Sequence, residues 1–138
     1  MAKQTGLAWT TCSVDSSDGT VRAIINDVTD LSISTPRGVQ DVTGLDKSAY
    51  ERLLLLADMS VTLNGVANLG AVPSATAHGV FATVPSTSVN RTSTFTIGGK
   101  TLAAEMLYTD YSLSRAASGE LTWTAPGVLA DGTVPTWA

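Results

Sequence analysis

Short runs in which apolar and hydroxyl residues alternate, separated by clusters of glycine, proline and aspartate, limit what this chain can fold into. Leu31-Ser-Ile-Ser34 and residues 59–64, MSVTLN, place every second side chain on one face. That is the period of a half-buried strand. Residues 7–14 read as a first strand with Trp9 as its core anchor, DSSDG at 15–19 as a turn, and 20–25 as the returning strand. Residues 91–97 and 100–108 flank Gly98-Gly99, the two-residue signature of a tight hairpin. Residues 111–115 and 121–125 flank 116–120. There Tyr111, Leu113, Leu121 and Trp123 fall on one face, with Ser112, Ser114, Thr122 and Thr124 on the other. Residues 66–77 read as a loop, 78–84 as a strand stopped by Pro85, and 126–138 as a tail without period.

One segment breaks the pattern. Pro36 and Gly38 end the run at 31–34. Ser48 and Glu51 then have the spacing of a helix capping box, and Tyr50, Leu53, Leu54 and Ala57 follow helical spacing. Lys47 and Glu51 suit an i, i+4 pair. The spacing predicts a short helix over 48–57 that needs a sheet to bury its leucines; the alternative is a buried strand at Leu53–Leu56. Together the elements predict one mainly β domain over 1–138. It would be a β-sandwich or barrel of about eight strands with one short flanking α-helix, an N-terminal arm at 1–6 and a C-terminal arm at 126–138.

Composition narrows the function classes. The chain has 138 residues, enough for one domain with a core. Charged residues make up only 14%, where soluble domains average about 25%. The 20 Thr and 14 Ser make about a quarter of the chain hydroxylic. A surface so weakly charged suggests coverage by partners. Net charge is −4 and no two of the eight Lys/Arg are adjacent, which argues against a sequence-specific nucleic-acid binder. Cys12 is alone, so neither a disulfide framework nor a cysteine zinc site is available. No apolar run reaches membrane-span length, and the first nine residues lack a signal-peptide core. The expectation is a protein made in a cytoplasm.

Chemistry-bearing motifs fail on inspection. His78 is the one histidine, no G-x-S-x-G elbow exists, and a second imidazole for a metal is lacking. The DSSDG turn resembles the start of a calcium loop, but Asn26 stands where the bidentate glutamate belongs. Gly98-Gly99-Lys100-Thr101 resembles the end of a phosphate loop, but Thr94 occupies the position of the first glycine. Asn90-Arg-Thr92 matches a glycosylation sequon that has no consequence without secretion. The reading is a protein that is not an enzyme, with no catalytic residue, metal ligand or cofactor.

Asp41-Val-Thr-Gly44, followed by a short segment and then Asp58-Met-Ser-Val-Thr-Leu-Asn-Gly65, resembles the major tail protein, or tail tube protein, of long-tailed bacteriophages. Residues 111–137 are similar to the final hairpin and C-terminal arm of that family. The chain departs from it in its four consecutive leucines, Leu53–Leu56, where relatives more often show a Gly-Leu pair. The resemblance implies a structural virion subunit that forms hexameric rings by joining sheets edge to edge. The rings would stack into a tube whose lumen conducts viral DNA during genome ejection. Its partners would be further copies of itself and other tail proteins, such as tape measure and terminator proteins. DNA would pass without specific binding, and assembly would take place in the bacterial host cytoplasm. A net acidic subunit suits a conduit, since cationic contacts are what hold DNA.

On this reading the loop at 35–45, with Thr35, Arg37, Val39, Gln40, Asp41 and Val42, is the ring-stacking contact. Glu105 and Asp110 are candidate lumen-lining acids. The competing readings are a capsid decoration protein and, further off, a carbohydrate-binding or adhesion module, which would need exposed aromatics on one sheet face.

Overall fold

The computed structural model describes residues 3–138; the first two residues of the expected N-terminal arm lie outside them. Among the described residues there are ten strands and one short α-helix. Strands β1 (Trp9–Asp15), β2 (Val21–Ala23), β3 (Asp30–Ser34), β6 (Ser60–Val66), β7 (Arg91–Ile97), β8 (Lys100–Tyr108), β9 (Ser112–Arg115) and β10 (Leu121–Leu129) form one antiparallel sheet. Its order is β2-β1-β7-β8-β10-β6-β3, with β9 added on β10. A separate two-stranded ladder joins β4 (Arg37–Asp41) to β5 (Arg52–Ala57). The helix α1 spans Ala77–Phe81.

The alternating pattern builds the sheet as expected. Cys12, Val14, Phe95, Leu102, Met106, Trp123, Ala125, Val61 and Leu63 point to one side and form one core, with Leu31 and Ile33 packed against it. Those residues come from strands at both ends of the sheet, so the sheet curls around them. Gly98 and Gly99 have φ of 58° and 79° and close the β7–β8 hairpin, as a mirror-image turn requires. Leu113 faces Trp123 and Ser112 faces Thr124 across β9–β10, the two faces expected.

Strand β6 runs through Gly65, where the sequence suggested an end, because Gly65 admits a close approach. A Cβ there would lie 1.8 Å from the Asp27 carbonyl oxygen and 2.7 Å from Trp123 Nε1. The presumed tail also differs: Pro126 to Leu129 continue β10, and Trp137 returns to bridge Leu102. Two backbone hydrogen bonds between Thr101 and Ala138, at 2.8 and 2.9 Å, fix that return.

The helix is found, but elsewhere. Residues 48–57 are not helical, and 78–84 is not a strand. Helix α1 begins where the Thr76 hydroxyl accepts from Gly79 N–H and the Asp27 carboxylate accepts from Ala77 N–H at 2.8 Å. It delivers Phe81 to the core, 4.9 Å from the Tyr108 ring and 5.5 Å from Trp123. One turn of helix plugs the interior instead, with Ala77, Gly79, Val80 and Phe81 all buried. Arg91, also buried, ties the helix down. Its guanidinium donates to the carbonyls of Val80 (2.9 Å) and Asp15 (3.0 Å) and to the Thr83 hydroxyl (2.9 Å). Burial lowers its pKa, while Tyr108 and Asp15 oppose that shift.

Candidate assembly surface

The β3–β6 ladder does not stop at the body of the protein. Ser34 pairs with Ser60, the Pro36 carbonyl accepts from Asp58 N–H at 3.0 Å, and Arg37 then pairs with Ala57. Pro36 lacks an N–H and interrupts the ladder without ending it. Beyond it, β4 and β5 project as a two-stranded arm in which every residue of β4 is exposed, as are all but the last of β5.

The arm accounts for the misplaced helix. Glu51, the supposed capping residue, has its backbone committed across the hairpin: its N–H donates to Thr43 Oγ1 at 2.8 Å and its carbonyl accepts from Val42 N–H at 2.9 Å. The Lys47–Glu51 ion pair does form, at 3.5 Å, in the end loop of the hairpin instead of along a helix. Among the described residues no surface covers Leu53–Leu56, all of which are exposed, so a helix over 48–57 would have nothing to bury them, whereas pairing with β4 satisfies the backbone. The alternative of a buried strand at Leu53–Leu56 is right about the strand and wrong about burial.

All six residues expected at the stacking contact, Thr35, Arg37, Val39, Gln40, Asp41 and Val42, are exposed, and four of them lie on β4. The structure adds what the sequence missed: Leu53–Leu56 belong to the same arm. Val39 faces Leu54 and Gln40 faces Leu53; Leu55 lies over Gly38. Apolar side chains therefore occupy both faces. Leu54 is 60% exposed and Leu56 90%. A two-stranded hairpin is marginal in water, and here polar locks support it. Arg37 Nε donates to the Leu55 carbonyl at 2.9 Å, and Arg52 stacks 4.7 Å from the Tyr50 ring centre. The Thr43 hydroxyl donates to Asp41 Oδ1 at 2.6 Å, and Thr43 N–H donates to the same oxygen at 2.9 Å. Those two bonds hold the Asp41 carboxyl below the ordinary carboxylate range.

The outward face of the main sheet has a different character. Reading across the register, Asp30–Asn64–Thr124 and Ser32–Thr62–Pro126 lie side by side at one end. Ser13–Thr94–Ala103 and Thr11–Thr96–Thr101 lie side by side at the other. The threonine and serine excess of the sequence is spent here, on strand positions that do not enter the core. Lys and Arg are absent from this face among the described strand positions, since Arg22, Arg91, Lys100 and Arg115 all sit in register with inward-facing residues.

Glu105 belongs to this face, opposite Thr92, whose hydroxyl donates to it. It lines a cavity of about 220 Å³ with Ala103, Asp131 and Thr133. Asp110 is exposed in the link between β8 and β9. The structure does not bring the two acids together with the arm. His78 is in helix α1, its Nδ1 3.2 Å from the Tyr111 hydroxyl. Among the described residues, no three His, Cys, Asp or Glu side chains gather as metal ligands. Among the described residues no helix is long and apolar enough to cross a membrane.

No family model and no curated protein matches the sequence. Solved structures do match. The fold is similar to a chain in the tail of an empty gene transfer agent particle, refined helically with C6 symmetry: TM-score 0.73, 15% identity, 99% of each chain covered. It is similar to a chain in the virion of a native gene transfer agent, with TM-score 0.70, 17% identity and 99% of each chain covered. It is also similar to a chain in the six-fold symmetrised baseplate of an anti-feeding prophage, with TM-score 0.69, 12% identity, and 100% of this chain and 97% of that one covered. Over its whole length, the protein has the phage-tail-type fold seen in these tail and baseplate particles.

Proposed function

We propose that the chain is the structural subunit of a phage-like tail tube, assembling as hexameric rings that stack around a lumen conducting DNA. The observation that carries this reading is the β4–β5 arm, a two-stranded extension with leucines in water. Exposed apolar arms of this kind are a liability in a monomer and a joint in an assembly. The likeness to a C6-symmetric tail supports a six-fold ring. Sheet edges are available for ring closure at β3 and at β9, all four residues of which are exposed. The hydroxylic outward face, with Glu105 and no Lys or Arg at its described strand positions, suits a wall past which phosphates slide. Glu105 and Asp110 are the proposed lumen acids. Tape measure and terminator proteins would meet the tube at its ends, and assembly would occur in the host cytoplasm. The role is structural, without chemistry of its own.

Negative-stain microscopy of the concentrated protein tests this reading: rings with six-fold symmetry and tubes are expected. Replacing residues 37–57 by a short turn should leave a folded subunit that makes no tubes. Both strands must go, because removing β4 alone would leave β5 without its partner. Tubes of normal length from that variant, or a reconstructed lumen richer in Lys and Arg than in Asp and Glu, would overturn the corresponding part of the proposal.

A further inference from the structure

Trp9, Ile25, Val28, Thr29, Asp30 and Leu31 line an open groove of about 320 Å³ between the start of β1 and the start of β3. Trp9, Ile25, Val28 and Leu31 are only partly buried, so the groove presents apolar walls to solvent, with the exposed carboxylate of Asp30 at its rim.

Among the described residues the chain thus carries an apolar arm with no socket and an apolar socket with no occupant, and the two lie too far apart to meet within one copy. The groove gathers at the Asp30–Leu31 end of β3, and the arm leaves past Ser34 at the other end. From Asp30 to Val39 is nine residues of extended chain, about 30 Å. A contact between such opposite ends is head to tail, and repeated without closing it extends along one axis.

We propose that the arm of one copy seats in the Trp9–Leu31 groove of the next copy along the tube axis. This rests on the tail-tube reading and names the surface that receives the arm. Leucines of β5 displace water from the groove, and Asp30 at its rim meets a guanidinium of the arm, Arg37 or Arg52. The partner is therefore a second copy of this chain, and the joint is directional.

Two variants separate the halves of the joint. Leu54→Ser with Leu56→Ser removes the plug, and Thr29→Trp fills the socket from an exposed position. Both leave the core untouched, so circular dichroism melts should match the unaltered protein. Each variant alone should lose at least tenfold in tube mass by sedimentation. Mixed in equal amounts, they should form short stacks but not tubes, because an intact arm from one meets an intact groove from the other only once.

Mixing Leu54→Cys and Thr29→Cys proteins under mild oxidation should give a disulfide-linked dimer that neither gives alone. Cys12 is buried and does not compete. Normal tubes from Thr29→Trp, or no cross-link in the mixture, overturns the inference. If the unaltered protein makes no tubes, the tail-tube reading fails, while the cysteine pair still reports whether arm and groove meet.

Discussion

The Asp27 carboxylate accepts the backbone N–H of Ala77 at 2.8 Å, joining residues fifty apart in sequence. Its other oxygen accepts from Asn68 Nδ2 at 3.0 Å, and its main-chain carbonyl accepts from Trp123 Nε1 at 3.2 Å. One residue thus anchors the start of helix α1, the loop before it and the largest core side chain. Asp27→Ala leaves a buried N–H without a partner and should cost about 2 kcal/mol. Urea denaturation measures this; a change below about 0.5 kcal/mol would show that the anchor is dispensable.

Arg91 is 1% exposed and satisfies three acceptors. Arg91→Met keeps much of the volume but strands those oxygens, so a loss of about 3 kcal/mol is expected. Arg91→Lys keeps the charge but not the forked geometry and should fall between the two. Equal stability of Arg91→Met and the unaltered protein would contradict this account.

Gly65 faces the Asp27 carbonyl and the Trp123 indole too closely for a methyl group. Gly65→Ala must push β6 from its neighbours, at a cost of about 2 kcal/mol or more. The near-ultraviolet circular dichroism of Trp123 should change with it. An unchanged spectrum would mean that the strand yields without disturbing the indole.

Substitutions in the arm should behave in the opposite way. Leu54→Ser with Leu56→Ser should shift subunit stability by no more than about 0.5 kcal/mol, as for ordinary surface positions. Leu63→Ala, in the core of the adjoining ladder, should cost about 3 kcal/mol. Comparable losses at both places would mean that the arm packs on its own subunit.

Burial pushes the Cys12 thiol from its ordinary 9.0 up to about 12. The folded state therefore holds the proton where the unfolded chain releases it. This contribution is fully present below pH 9 and is lost as pH rises toward 12, at up to about 1.4 kcal/mol per pH unit. Cys12→Ala should flatten that part of the stability profile. At pH 8, Ellman's reagent should modify Cys12 only at the rate of unfolding; prompt labelling of the folded protein would contradict its burial.

How much was legible in the sequence varied with the range of the interactions involved. The β7–β8 hairpin could be read because Gly98 and Gly99 carry the turn and alternation carries the strands. The two faces of β9–β10 followed from period two alone. The loop expected at 35–45 is exposed except at half-buried Thr43, but residues 37–41 in it form a strand, because their partners at 52–57 lie beyond any local pattern. The groove at Trp9 and Leu31 was not, since it joins residues about twenty apart through a curl of the sheet that no local pattern encodes.

The sequence by itself determined that this chain is a β protein with one hydroxylic sheet face. Side chains alternate along every strand, and the turn residues permit few other closures. Only the tertiary structure decided the fate of Leu53–Leu56. Their spacing satisfies a helix and their composition satisfies a strand, and nothing within ten residues distinguishes the two. The choice fell to residues 37–41, which offer a backbone ladder, and to the absence of a surface against which a helix would bury its leucines. In the same way, helix α1 exists because Asp27, fifty residues away, holds its start and Arg91, in the next strand, holds its end.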